Sequence, residues 1–433
     1  MDAKDDVTIL LFIMKVLWIT NVLLPEAQLL LNGGRIKAGS GGWLTSAAEA
    51  VKEKVELMVA SPTSMVQATR KEVLHGITYY FIPIGKGNVQ YNKQYEKIWL
   101  QINEYEKPDL VHLHGTEYSH GLAYINSCGA ENVVVSIQGI MTEIAKHRND
   151  GLSWGDILRN ITIYDLKRGS LFMQQRRAME RAESEIEIMK KARFFIGRTS
   201  FDYAYVKSKN PAALYYHCDE SMRDVFYTGR WSYENCLKHS IYVSSAAYPL
   251  KGLHMLLKAM PEIINQYPDL RVFIAGRKIQ EAKGFVQSFM ISGYDKILNG
   301  LITKYHLKDY ITFVGPQDAK GVRDSLLKAN IFLSPSSNEN SSNSICEAQL
   351  LGVPCLASYV GGTPDLIPND TMGDLYNYYD INMLAYKICM LFEKSRNFDN
   401  TIMIEQAAKR NNRENNALRT IDIYKTVKDE IRK

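Results

Sequence analysis

Paired cysteines are missing from this sequence. The six that occur, Cys128, Cys218, Cys236, Cys346, Cys355 and Cys389, form no C-x-x-C pair and no cluster with histidine. A disulfide scaffold and a structural zinc site are therefore excluded as organising features, and free thiols in a reducing compartment are expected. No D-x-D occurs, the usual signal of a metal held against a diphosphate by two carboxylates. Repeats of solenoid length and low-complexity tracts are also absent. Excess charge is small: 52 basic and 47 acidic side chains leave +5, too little for a nucleic-acid protein but compatible with anionic ligands or a membrane surface. The one long apolar run, Val7 to Leu24, is interrupted by Lys15 and by Thr20-Asn21, and no small-residue cleavage site accompanies it. It reads as a buried first strand, Lys15–Thr20, rather than as a membrane span or secretory signal. Residues 1–13 read as an extension upstream of a natural start at Met14, and a soluble chain is expected.

What is present is ordinary globular material: 433 residues, 46% apolar and 23% charged, enough for two or three domains. Short apolar runs alternate with helical stretches, which predicts α/β structure with parallel sheets. Strands are predicted at 15–20, 55–61, 77–83, 109–114, 132–138 and 193–198. The same pattern restarts at 240–245, 270–276, 310–315, 331–336 and 354–359. Two successive sheets imply two facing Rossmann-like domains with an interdomain cleft. The first is expected to span 1–230 on the acceptor side, and the second 231–405 on the donor side. A helix at 406–433 is expected to pack back on the first. Residues 149–175 look like an insertion, followed by a long helix at 170–191 rich in arginine. That helix reads either as a solvated face with paired glutamates or as a surface for anionic lipid.

The stretch from Ser334 to Asp365 carries most of the chemistry. A strand ends at Ser334-Pro335, a small polar loop follows, and a helix is expected near Ile345. Such a junction turns unpaired amides, here those of Ser342, Asn343, Ser344 and Ile345, and a positive helix end toward an anion such as phosphate. Glu339 and Glu347 bracket it. Glu347, expected in the first helical turn, is suited to accepting hydrogen bonds from the two hydroxyls of a ribose, and Glu339 to holding sugar hydroxyls. Taken singly, Glu347 also reads as a helix cap and Glu339 as a solvated loop residue. Lys251, after the first strand of the second domain, can set its ammonium on a diphosphate, and Arg277, after the next strand, can add a second cation. Gly361-Gly362 forms another tight loop at a strand end.

Together, Lys251-Gly252, the Glu339/Glu347 pair and Gly361-Gly362-x-Pro-acid resemble the retaining nucleotide-sugar glycosyltransferases of family 4, which have the GT-B architecture. The resemblance implies that Glu347 holds the ribose, Glu339 lies by the donor sugar and Lys251 balances the diphosphate. It further implies that Gly41 and Gly42 approach the donor phosphate and that the strand ending at His114 carries that side chain to the cleft. Glu339, Lys251 and His114 are the catalytic candidates. Where many members carry a histidine this sequence has Gln138, which can position a sugar but cannot exchange a proton near neutral pH. The arginine that many members place shortly before the lysine is also missing, since no arginine lies between Val243 and Lys251.

The expected activity is metal-independent hexosyl transfer, with retention, from a UDP- or GDP-linked sugar to a glycan or lipid-linked acceptor, without a bound cofactor. Its expected setting is surface polysaccharide assembly in the cytoplasm, with peripheral contact to the inner membrane face. An epimerase or phosphorylase on the same scaffold, or a non-catalytic nucleotide- or glycan-binding protein, are the competing readings.

Overall fold

The computed structural model describes residues 14–35, 42–84, 91–281, 284 and 287–433. The proposed extension at 1–13 and Gly41 lie outside them. An eight-stranded sheet forms from β1 (Lys15–Thr20), β2 (Glu56–Thr63), β3 (Arg70–Leu74), β4 (Ile77–Pro83), β5 (Leu110–His114), β6 (Val133–Ser136), β7 (Phe194–Gly197) and β8 (Leu214–His217). Its order is β3-β4-β2-β1-β5-β6-β7-β8, and every pairing is parallel except β3 with β4. A six-stranded, all-parallel sheet follows, with β9 (Leu237–Val243), β10 (Arg271–Ala275), β11 (Ile311–Gly315), β12 (Ala329–Ser334), β13 (Cys355–Ser358) and β14 (Asp374–Tyr376) in the order β11-β10-β9-β12-β13-β14. Continuous apolar strands such as β1, whose Val16 to Ile19 are all buried, need helices on both faces, and both sheets are covered that way.

Each sheet has a switch point where successive strands leave in opposite directions: between β1 and β5 in the first and between β9 and β12 in the second. Connections diverge there and leave a crevice at the carboxyl ends of the strands. The exits of β1, β5, β9 and β12 carry Asn21, Glu117, Lys251 and Glu339 respectively. The topology thus sets the candidate residues around two crevices before any side chain is considered.

Two segments cross between the lobes. The helix Arg413–Ile431 brings Ile421, Ile423, Tyr424 and Val427 onto the first sheet's core. Trp18 Nε1 donates to Tyr424 Oη at 2.9 Å, and Tyr424 Oη lies 2.6 Å from His112 Nδ1. His112 Nε2 lies 2.6 Å from Ser136 Oγ, so the ring links the Tyr424 and Ser136 hydroxyls, one ring nitrogen donating and the other accepting. Burial holds His112 at a pKa of about 3, so the ring is neutral. In the opposite sense, the insertion after β6 docks on the second lobe. Its helices Trp154–Arg159 and Ile163–Arg168 start with reciprocal caps, Ser153/Asp156 and Thr162/Asp165. Ile157 and Leu171 enter the second lobe's core, and Thr162 Oγ1 donates to the Ile291 carbonyl at 2.7 Å.

Candidate active site

Glycine governs how the second lobe's site is assembled. Lys251 ends a short 3-10 turn, Pro249–Lys251, after β9, and Gly252 then caps the helix Leu253–Gln266 with φ of 69°. A Cβ on Gly252 would lie 1.7 Å from the Pro335 carbonyl oxygen, so only glycine lets the β9 and β12 exits touch. That contact brings Lys251 Nζ to 2.5 Å from Glu339 Oε1, which also accepts from Ser336 Oγ at 2.7 Å. Burial alone would lower the ammonium's pKa, but the Glu339 carboxylate outweighs it and the pKa stands above the ordinary lysine value.

Gly361 and Gly362 serve the same loop. A Cβ on Gly361 would sit 2.0 Å from the Glu339 carbonyl oxygen and one on Gly362 2.1 Å from that of Asn340. These glycines therefore seat the loop that carries Glu339. The helix beyond begins at Asn343, two residues earlier than the sequence indicates, which moves Glu347 into the second turn. Ser342 occupies the cap position without a side-chain bond to the helix. The Ile345 amide is committed to the Ser342 carbonyl at 3.1 Å, leaving Asn343 and Ser344 at the open end of the helix. Glu347 is buried, and burial raises its pKa although Arg223 Nη2 lies 2.6 Å from Oε1. Arg277 is held by both oxygens of buried Asp295, at 2.7 and 2.9 Å, beside the loop after β9.

On the first lobe, His114 is buried at the end of β5, between Trp18 (4.3 Å between ring centroids) and His112 (3.8 Å). Burial and the neighbouring ring push its pKa well below the usual value, so it is a neutral imidazole. It lines a small cavity with Gln138, Arg198 and Glu220. Gln138 Nε2 donates to Glu220 Oε1 at 2.9 Å, and Glu220 pairs with Arg198 at 2.7 Å, so the side chain is fixed. Gly42 opens the helix Gly42–Val51.

Three residues escape a reading of the sequence alone. Asn340 donates to the Gln138 carbonyl at 3.2 Å and to Asp202 Oδ2 at 3.0 Å, and accepts from Thr199 Oγ1 at 2.8 Å, which ties the Glu339 loop to the first lobe. Glu117 accepts from Asn21 Nδ2 at 2.9 Å and from the Gly139 amide at 3.1 Å, bridging the exits of β1, β5 and β6. Burial raises its pKa to about 7. Arg148 stands over the Tyr248 ring at 5.7 Å, with Nε buried and without a hydrogen-bond partner among the described residues. An asparagine in a serine-rich loop, one glutamate after a strand and one arginine after a helix have no spacing that marks them; only the folded chain brings them together.

Two facing parallel sheets, with the site at their apposed switch points, define the GT-B class. Sucrose-phosphate synthase from Thermosynechococcus elongatus superposes with a TM-score of 0.69 at 18% identity, covering 96% of this chain and 99% of that one. Anabaena HepE, solved in complex with UDP, superposes at 0.62 with 15% identity, covering 95% and 100%. The second lobe, residues 237–410, matches the family described as Glycosyl transferases group 1. The chain thus has the GT-B fold of these structures, and its likeness to a glycosyltransferase family lies in the second lobe. Among curated proteins, the gpi3 component of phosphatidylinositol N-acetylglucosaminyltransferase from Schizosaccharomyces pombe is 30% identical over 131 residues, which is 30% of this chain and 25% of that protein. D-inositol 3-phosphate glycosyltransferase of Corynebacterium urealyticum is 27% identical over 183 residues, 41% of each chain. The chain thus spans about a quarter of the length of the yeast relative and two-fifths of the bacterial one.

Proposed function

We propose that this protein transfers a sugar, with retention and without a metal, from a nucleoside diphosphate donor to a phosphate-bearing or lipid-linked acceptor. The observation that carries this reading is the corner made by Lys251, Glu339 and the uncapped start of the helix Asn343–Leu350, with Glu347 one turn further on. In the transfer, the bond from the sugar's anomeric carbon to the phosphate oxygen breaks, and the pyrophosphate gains charge. Lys251 and the amides of Asn343 and Ser344 stabilise that charge, a contribution of about 2–4 kcal/mol for each well-placed donor in a dry cleft. The acceptor hydroxyl attacks on the leaving-group face and gives its proton to a phosphate oxygen. Glu347 takes the ribose hydroxyls after releasing Arg223, and Glu339 orients the sugar. His114 and Gln138 line the acceptor side as hydrogen-bonding groups, because neither can serve as a base in this setting.

UDP is the favoured nucleotide, supported by the UDP-bound neighbour of the same fold. A phosphate on the acceptor fits the guanidinium of Arg148 at the cleft, and the inositol-directed names of the relatives support the same chemistry. The test is incubation with UDP-sugars in EDTA, with phosphatidylinositol or inositol phosphate as acceptor. Nucleotide release that depends on acceptor, with an axial-type product linkage, supports the proposal. Epimerised donor without nucleotide release, or binding without turnover, refutes it.

A further inference from the structure

The insertion after β6 turns an unusual surface outward. Its inner side is fully engaged: Ile157 and Leu171 lie in the second lobe's core, and Asp165 accepts from the Gly293 amide at 3.0 Å. Its outer side presents Trp154 (74% exposed), Leu158 (57%), Ile163 (46%), Leu166 (78%) and Met173 (49%). Helical spacing aligns them, since Trp154 and Leu158 are four apart and Ile163 and Leu166 three apart. Contacts join the patch: Trp154 packs on Phe172 at 4.9 Å, and Arg177 reaches both the Arg168 carbonyl and Met173 Sδ.

Every exposed charged side chain from 153 to 179 is basic: Arg159, Lys167, Arg168, Arg176 and Arg177. The acids of this stretch and the one just beyond it are withdrawn. Asp165 is buried, Asp156 caps its own helix, and Glu180 lies half-buried against Arg176. Bulky apolar side chains set among cations on short amphipathic helices suit the headgroup boundary of an anionic bilayer, where both contribute. The insertion begins directly after Arg148, so a bilayer on this face would lie beside the cleft.

We infer that the outer face of residues 153–179 is a docking surface for an anionic lipid bilayer. Flotation of the full chain with vesicles of phosphatidylcholine, with or without phosphatidylglycerol, tests this. Binding is expected only with phosphatidylglycerol and should weaken as salt rises. Trp154→Ser with Leu166→Ser should abolish it. Replacing Arg159, Lys167, Arg168 and Arg176 by Gln should weaken it about fivefold for each charge removed. Equal partition to both vesicles, no partition to either, or wild-type binding by either folded variant would overturn the inference. So would a fall in oligomeric state in the Trp154/Leu166 variant, which would make the patch an interface between copies. Vesicle binding needs no turnover, so this outcome is separate from that of the glycosyl-transfer proposal.

Discussion

Replacing Lys251 by alanine separates the site's electrostatics from its architecture. The ammonium lies 2.5 Å from Glu339 Oε1 at the end of a turn held by the Gly252–Pro335 approach, which does not depend on the lysine side chain. Truncation leaves Glu339 with its bond from Ser336 Oγ. Because both side chains keep partial contact with solvent, the loss of stability should be about 1–2 kcal/mol, below the roughly 3–5 kcal/mol of a fully buried pair. On the proposed mechanism the leaving pyrophosphate, by contrast, loses its principal cation, and removal of such a group lowers kcat about 100- to 1,000-fold. The assay is nucleotide release under saturating donor, alongside thermal unfolding. Because the Glu339 carboxylate raises the lysine's pKa, the wild-type rate should also not fall between about pH 8 and pH 10 through loss of this charge. A folded Lys251→Ala protein with kcat within about threefold of wild type would refute the reasoning.

Other substitutions probe separate parts of the account. Glu347→Ala should weaken nucleoside diphosphate binding about tenfold or more by calorimetry, since a buried acceptor of ribose hydroxyls is lost, while leaving the fold intact. Glu117 binds its proton more tightly folded than unfolded, its pKa being about 7 against an ordinary 4.5. Its burial is therefore tolerated at acid pH and costs stability as pH rises from about 4.5 through 7. Glu117→Gln should consequently be neutral near about pH 4 and stabilising by about 2–3 kcal/mol above pH 7, measured by denaturant unfolding across pH. Tyr424→Phe strands Trp18 Nε1 and His112 Nδ1 in the core and should cost about 2–4 kcal/mol, seen as a lower midpoint of unfolding.

The central strands were legible because parallel strands covered on both faces must be continuously apolar, as KVLWIT at β1 and ITYYFIP at β4 are. Those missed are edge strands with weak signals. RKEVL at β3 is largely polar and exposed, LYYH at β8 is four residues long, and β14 has three. At the site, Lys251, Glu339 and Glu347 could be singled out because they follow strand ends in a recognisable order. What sequence could not supply was their partners. Nothing near residue 347 points to Arg223, 124 positions away, and nothing near Arg277 marks Asp295 as the carboxylate that holds it. The glycine pair at 361–362 marked a tight loop at a strand end, but not that it seats residues 339 and 340. Sequence order conceals the insertion's docking as well, since it lies between strands of the first lobe and packs on the second.

The central claim is that a nucleoside diphosphate lies in the crevice between the lobes, held by Lys251, the start of the helix at Asn343 and Glu347. Titration calorimetry of UDP and GDP into the full chain in EDTA tests it most directly. The account predicts one site per chain, saturable for at least one of the two, with affinity lowered in both Lys251→Ala and Glu347→Ala. No heat with either nucleotide, or unchanged affinity in both folded variants, would contradict it.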